Sequence, residues 1–328
     1  RYKLVTGVQT CALPIYYKKF KRMIIFGEFM AVAAVVMCAL FIVVDLGQPQ
    51  RMLNVMLHPT PNSVMFYDML VLIGYLGLNI VIGWVTLEAE RHEIDPPKWI
   101  KPLIYLSILW AFSIHTVTAF LYAGVPGRHY WLTAIMAGRF LASAFCSGPA
   151  ILMLLMLLMR RLSGLDVGKE AVKTLTTIIV YAMCVNVFFF VLELFTAFYS
   201  NIPGHMEPIS VLFFGHGGHL LWVNYWMWAA VIMAFSCLAI LIPPKLRTHP
   251  TLMPIALIML VAASWIDKGL GLLVGGFTPN MFETITPYMP TAKEIAVALG
   301  VYAVGALVLS LLWRIALGVK KEVNHLAD

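Results

Sequence analysis

Apolar residues in this chain run in long, nearly unbroken blocks instead of alternating with polar ones as on half-exposed strands or helices. The stretch "MIIFGEFMAVAAVVMCALFIVV" (23–44) holds a single charged residue, Glu28. A helix needs ~20 apolar residues to cross a bilayer. Eight blocks meet that length, at approximately 23–44, 64–87, 100–124, 130–159, 172–199, 217–243, 251–276 and 295–318. Breaks such as "HPTPN" (58–62) and "IPPK" (242–245) separate them, as loops should. Trp99, Trp131, Trp222 and Trp226 stand near block ends, where aromatic belts form. The pattern predicts an all-α polytopic membrane helix bundle with eight transmembrane helices and no soluble domain.

Composition agrees: 61% of residues are hydrophobic, only 12% are charged, and mean hydropathy is +0.86. Soluble chains carry about 25% charged residues. A net charge of +7 would suit a nucleic-acid partner, but the placement of the charges points elsewhere. Sixteen Lys and Arg fall on one side of the predicted topology, against three (Arg51, Arg128 and Lys293) on the other. The positive-inside rule puts the basic side in the cytoplasm. Both termini are then cytoplasmic, and the loops near 46–63, 124–130, 200–216 and 277–294 face outward. Nucleic acid is not needed to explain the charge; the lipid bilayer is the expected partner.

Five cysteines, Cys11, Cys38, Cys146, Cys184 and Cys237, form no C-x-x-C, and the last four lie in apolar runs. Cysteine there behaves as a small hydrophobe. An iron–sulfur cluster wants four thiolates, so none is expected in this chain. No metal site is expected either: "HGGH" (216–219) has no evident third ligand and no H-E-x-x-H context. Intrinsic haem b is not expected, because no span carries two widely spaced histidines.

Ionisable residues inside the apolar blocks mark candidate chemistry, because a charge in a bilayer is costly unless paired or hydrated. At ~1.5 Å per helical residue, His115 lies ~14 Å from the outer end of its span, Arg139 ~15 Å, and Asp267 with Lys268 ~13 Å. Glu193 is nearer that surface, and Asp45, Asp68, His216 and His219 lie at or just inside it. Glu28 is alone near the cytoplasmic end. Polar groups from different helices thus gather in the outer half, with both signs present. A carboxylate and a histidine facing one pocket can exchange protons. The same residues also fit a purely structural role, as ion pairs that lock helices together.

Several stretches resemble one family. "DLGQPQR" (45–51) followed by "NSVMFYD" (62–68), "HTVTAFLYAG" (115–124) with "GRFLASAFCSGPA" (138–150), and "WIDKGLGLLVGGFTPN" (265–280) are similar to segments of the NrfD/PsrC family, in its DsrP/HmeC-like branch. The resemblance covers roughly residues 23–320. The chain departs from the pattern at Gln48, where members often have Arg, at Asp267, where Glu is usual, and at Gly275, where proline is usual. The resemblance implies an integral-membrane subunit of an anaerobic respiratory oxidoreductase complex, not a complete enzyme alone. It implies exchange of electrons and protons between menaquinol, or menaquinone, and a periplasmic iron–sulfur ferredoxin-like or multihaem cytochrome c partner, with other membrane and catalytic subunits alongside. It places the chain in the bacterial inner membrane. Under that reading His115 and Asp267 stand nearest the quinone or its proton path, and Glu193 is a further relay. Arg139 and Lys268 are charge partners, and Asp45, Arg51 and Asp68 shape the outer rim. A secondary transporter or ion channel using the same charges, and a structural anchor, are the competing readings.

The N-terminal segment has a different character. "VTGVQTCALPI" (5–15) precedes a basic cluster, whereas a signal peptide places its basic residues before its apolar core. It matches a translated frame of a common sequencing adaptor. Residues 1–16 are therefore expected to be an artefact fused to the integral-membrane domain 17–328, with two N-terminal spans absent from a full chain of ten.

Overall fold

The computed structural model describes residues 20, 23–165, 167–217, 219–280, 282, 284–285 and 289–323. The expected adaptor segment 1–16 lies outside the described residues. Helices dominate the rest, and β-structure among the described residues is confined to one isolated bridge, His216 to His219.

All eight predicted spans are helices: α1 (Ile24–Asp45), α2 (Val64–Arg91), α3 (Ile100–Ala123), α4 (Met136–Ser163), α5 (Lys169–Tyr199), α7 (Trp222–Leu241), α8 (Leu252–Gly276) and α9 (Ala292–Glu322). Two begin later than their apolar blocks suggest. Residues 130–135 lead into α4 through turns, with Trp131 donating its indole N–H to the Leu272 carbonyl at 2.8 Å. The stretch before α7 carries the His216–His219 bridge. A helix that the apolar pattern did not announce, α6 (Pro203–Phe214), fills most of the predicted loop 200–216. It starts with proline at its first position, where the missing N–H costs nothing. It then buries Ile209, Val211, Leu212 and Phe213.

The chain forms two compact units, residues 1–117, 155–171 and 290–328 in the first and 118–154 with 172–289 in the second. In the first, α1 packs against both α2 and α9. Trp313 of α9 donates to the Phe26 carbonyl at 3.2 Å, and the two rings meet edge to face at 5.1 Å. Gly74 of α2 lies so close to the Trp110 ring that a Cβ there would come within 2.6 Å of it. Trp110 also donates to the Val71 carbonyl at 2.9 Å. Lys320 and Glu90 pair at 2.7 Å where α9 and α2 end.

In the second unit α7 packs against α6 and α8 around a core that includes Trp131, Met136, Leu212, Met227 and Ile266. Asn224 donates to the Val211 carbonyl and Trp228 to the Phe213 carbonyl, which ties α6 to α7. Large apolar side chains such as Leu109, Tyr181, Phe188 and Ile232 are left exposed along the spans. In water such a surface would drive aggregation; against lipid it is the expected exterior.

Candidate functional site

A buried charge cluster sits in the second unit. Its centre is Arg139, 2% exposed, in the first turn of α4. That corrects the depth expected from sequence: residues 130–135 are not α-helical, so the 1.5 Å rise does not apply to them. Arg139 donates from Nη2 to both oxygens of Asp267, at 2.8 and 3.0 Å, and its Nη1 meets Glu193 Oε2. Lys268 Nζ lies 3.2 Å from Asp267 Oδ2. Two cations thus face two carboxylates, which is how buried charge is tolerated. Phe190 and Phe140 present ring faces to the Arg139 and Lys268 charges, at 5.9 and 5.8 Å from their centroids.

The backbone of α8 makes this arrangement possible. Ile266–Gly271 winds as a π-helix between two α-helical segments. Such single-turn widenings inside α-helices are frequent at functional sites. Neighbouring residues on an α-helix diverge by about 100°; here Asp267 and Lys268 both reach the cluster.

Two glycines after the π-turn let the preceding loop approach. A Cβ on Gly275 would come within 2.7 Å of the Tyr130 ring, and one on Gly276 would overlap the Trp131 indole. Tyr130, so placed, hydrogen-bonds Arg139. Burial holds the phenol proton of Tyr130 above its usual range, against the opposing Arg139 charge. Gly275 is therefore the position that admits Tyr130. Sequence reasoning did not find Tyr130; an aromatic pair just before a span signals only an interfacial belt.

An apolar crevice of about 440 Å³, counting its open mouth, runs between α5, α7 and α8 up to Asp267. Phe190, Met227 and Ala230 line it, and Asn186, Ser264 and Asp267 are its polar groups. Phe235, also on its wall, is 51% exposed on the apolar outer surface. Asn186 and Ser264 were not candidates in the sequence, because a lone Asn or Ser in an apolar run has no distinguishing spacing.

The other expected site residues, His115, Asp45, Arg51 and Asp68, lie in the first unit. His115 is half-buried on α3. Asp45 ends α1, Arg51 follows in the connection, and Asp68 sits in the second turn of α2, all at one end of the α1–α2 hairpin. Asp45 and Arg51 are exposed and Asp68 is half-buried. Arg139, Glu193, Asp267 and Lys268 are thus brought into contact from three helices.

Eight membrane-length helices among the described residues, and a neutralised buried charge cluster beside a crevice with an exposed apolar wall, define a polytopic membrane protein with an internal polar site. The chain belongs to the family described as "Polysulphide reductase, NrfD", whose model matches residues 6–277. It is 23% identical to a protein of Halobacterium salinarum provisionally named as a membrane subunit of dimethyl sulfoxide reductase, over 89% of this chain and 73% of that one. It is 24% identical to the menaquinone reductase integral membrane subunit of Nitratidesulfovibrio vulgaris, over 84% of this chain and 70% of that one. With the Hdr-like menaquinol oxidoreductase integral membrane subunit of Archaeoglobus fulgidus it shares 22% identity, over 69% of this chain and 54% of that one.

Proposed function

We propose that this chain is the quinone-reactive membrane subunit of an anaerobic respiratory oxidoreductase. It exchanges electrons and protons between menaquinol and a periplasmic iron–sulfur or multihaem cytochrome partner. It does so in a bacterial inner membrane, with both termini cytoplasmic as the basic loops require. The observation that carries the reading is the crevice. One wall reaches the lipid-facing surface at Phe235 and its inner end is the charge-paired Asp267. A site open to lipid selects a membrane-soluble substrate. Its apolar walls suit an isoprenoid-bearing ring, and three polar groups, Asn186, Ser264 and Asp267, suit two carbonyl or hydroxyl oxygens.

Quinol oxidation releases two electrons and two protons, and the residues here can take the latter. Asp267 is held as an acceptor by Arg139 and Lys268, and Glu193 stands on the other side of Arg139 as a second acceptor. Arg139 keeps both carboxylates oriented while a proton moves. His115 is a further proton-handling candidate in the first unit, and Asp45, Arg51 and Asp68 form a charged rim suited to a partner subunit. The names of the menaquinone and menaquinol relatives support this reading.

The test uses the assembled complex in membranes. Asp267→Asn and Glu193→Gln should assemble with their partners yet lose menaquinol oxidation by 10-fold or more, an estimate on the order of a general acid–base contribution. Ala230→Trp, which fills the crevice, should raise KM for a menaquinol analogue. Unchanged turnover in both carboxylate variants, together with an unchanged KM in Ala230→Trp, refutes the site. Solute or ion flux through liposomes without a redox partner would favour a transporter. The reading of residues 1–16 as a translated adaptor is settled separately, by sequencing the genomic DNA across that junction.

A further inference from the structure

One carboxylate has no role in the cluster above. Glu28, in the second turn of α1, is 1% exposed, and neither of its oxygens has a hydrogen-bond partner among the described residues. It packs on α2 at Gly83: a Cβ there would lie at ordinary contact distance, 3.5 Å, from Glu28 Cβ. Flanking Gly83 on the same face of α2 are two more buried polar residues, Asn79 at i−4 and Thr86 at i+3.

Each keeps one polar atom that its own helix does not satisfy. Asn79 donates its amide to the Tyr75 carbonyl at 2.7 Å, so the atom left over is Oδ1, an acceptor with no partner among the described residues. Other hydroxyls in the spans donate to a carbonyl four residues back, among them Ser113, Thr116, Thr177, Thr196 and Ser310. The Thr86 hydroxyl does not, and it too is buried without a partner among the described residues.

Charged neighbours on the packed helices are committed elsewhere. Lys320 of α9 pairs with Glu90 of α2 at 2.7 Å, Arg91 pairs with Glu322, and Glu88 meets His92. Among the described residues no ion pair of Arg314 or Lys321 with Glu28 is found. An isolated carboxylate buried in an apolar interior neutralises instead of staying charged. A bare metal ion is a poor fit. Asn79 and Thr86 lie ~10 Å apart along α2, too far for two short side chains to close on one ion. Gly83, against which Glu28 packs, stands between them on α2, and a protonated carboxyl offers one O–H to donate and one carbonyl to accept.

We infer that Glu28 is a proton-binding site: a carboxylic acid that carries its proton inside the first span and shares it with Asn79 and Thr86, directly or through one water. The chain then holds an exchangeable proton at a position that the Arg139 cluster does not include.

Infrared spectroscopy of the purified chain in lipid nanodiscs at neutral pH tests this without any quinone, so its outcome is independent of the quinone reading. The spectrum of the wild type minus Glu28→Gln should show a carboxylic-acid C=O band that shifts in D2O. Asn79→Leu and Thr86→Val should each move that band, and Glu28→Gln should leave thermal stability unchanged because it is neutral and isosteric. Carboxylate bands in place of the acid band overturn the inference, as does a carboxylate signal that depends on added sodium or potassium. An acid band unmoved in both Asn79→Leu and Thr86→Val overturns the shared-proton cluster. Those two variants retain Glu28, so the measurement survives if Glu28→Gln does not fold.

Discussion

Replacing Arg139 with methionine removes one of the two cations that balance Glu193 and Asp267. The four charges sum to zero in the native cluster, and Arg139→Met leaves one uncompensated negative charge in a buried site. Lys268 remains 3.2 Å from Asp267, so the orphan is Glu193, whose side chain is 8% exposed. Two unit charges 4 Å apart attract by about 4 kcal/mol at an effective dielectric of 20. Removing one partner of a buried pair costs about 3–5 kcal/mol in measured cases. Arg139→Met should therefore lower unfolding stability by about 3–5 kcal/mol, Glu193 losing its attraction and keeping its burial. The double variant Arg139→Met with Glu193→Gln restores neutrality and should recover more than half of the loss. The assay is unfolding of the purified chain in one fixed detergent, followed by tryptophan fluorescence. A double variant as unstable as the single one would refute the charge-balance argument and leave lost packing as the explanation.

Other outcomes follow from local geometry. Gly275→Ala forces a methyl against the Tyr130 ring and should cost about 1–3 kcal/mol as overpacking; in the intact complex it should also slow menaquinol oxidation, because Tyr130 then loses its place beside Arg139. Trp313→Phe keeps the edge-to-face ring contact but loses the bond to the Phe26 carbonyl, and a loss of about 0.5–1.5 kcal/mol in melting experiments is expected. His205, outside the spans on α6, titrates below its ordinary value of 6.5 because of burial and then the nearby His129. The unfolded chain therefore binds this proton first as pH falls, so the His205 contribution is intact above 6.5 and is lost on acidification below it. His205→Gln should flatten the stability profile in that window, and an unchanged profile would exclude His205 as its source.

The sequence by itself determined the architecture, because lipid demands length and apolarity that are read directly from composition. All eight spans were legible for that reason, and so was the list of ionisable residues within them, since each is an exception to its surroundings. Helix α6 was not legible: twelve residues with two internal glycine or proline positions are too short for a span and read as a loop. Which charges meet was decided only by tertiary structure. Arg139, Glu193 and Asp267 lie far apart in the chain, and the π-turn at Ile266–Gly271 that brings Asp267 and Lys268 to one centre leaves no periodic mark. The glycines at 275 and 276 look like flexibility in sequence, yet they are spaces filled by Tyr130 and Trp131. Glu28 shows the same division: its chemical identity is local, but its isolation is a property of everything packed around it.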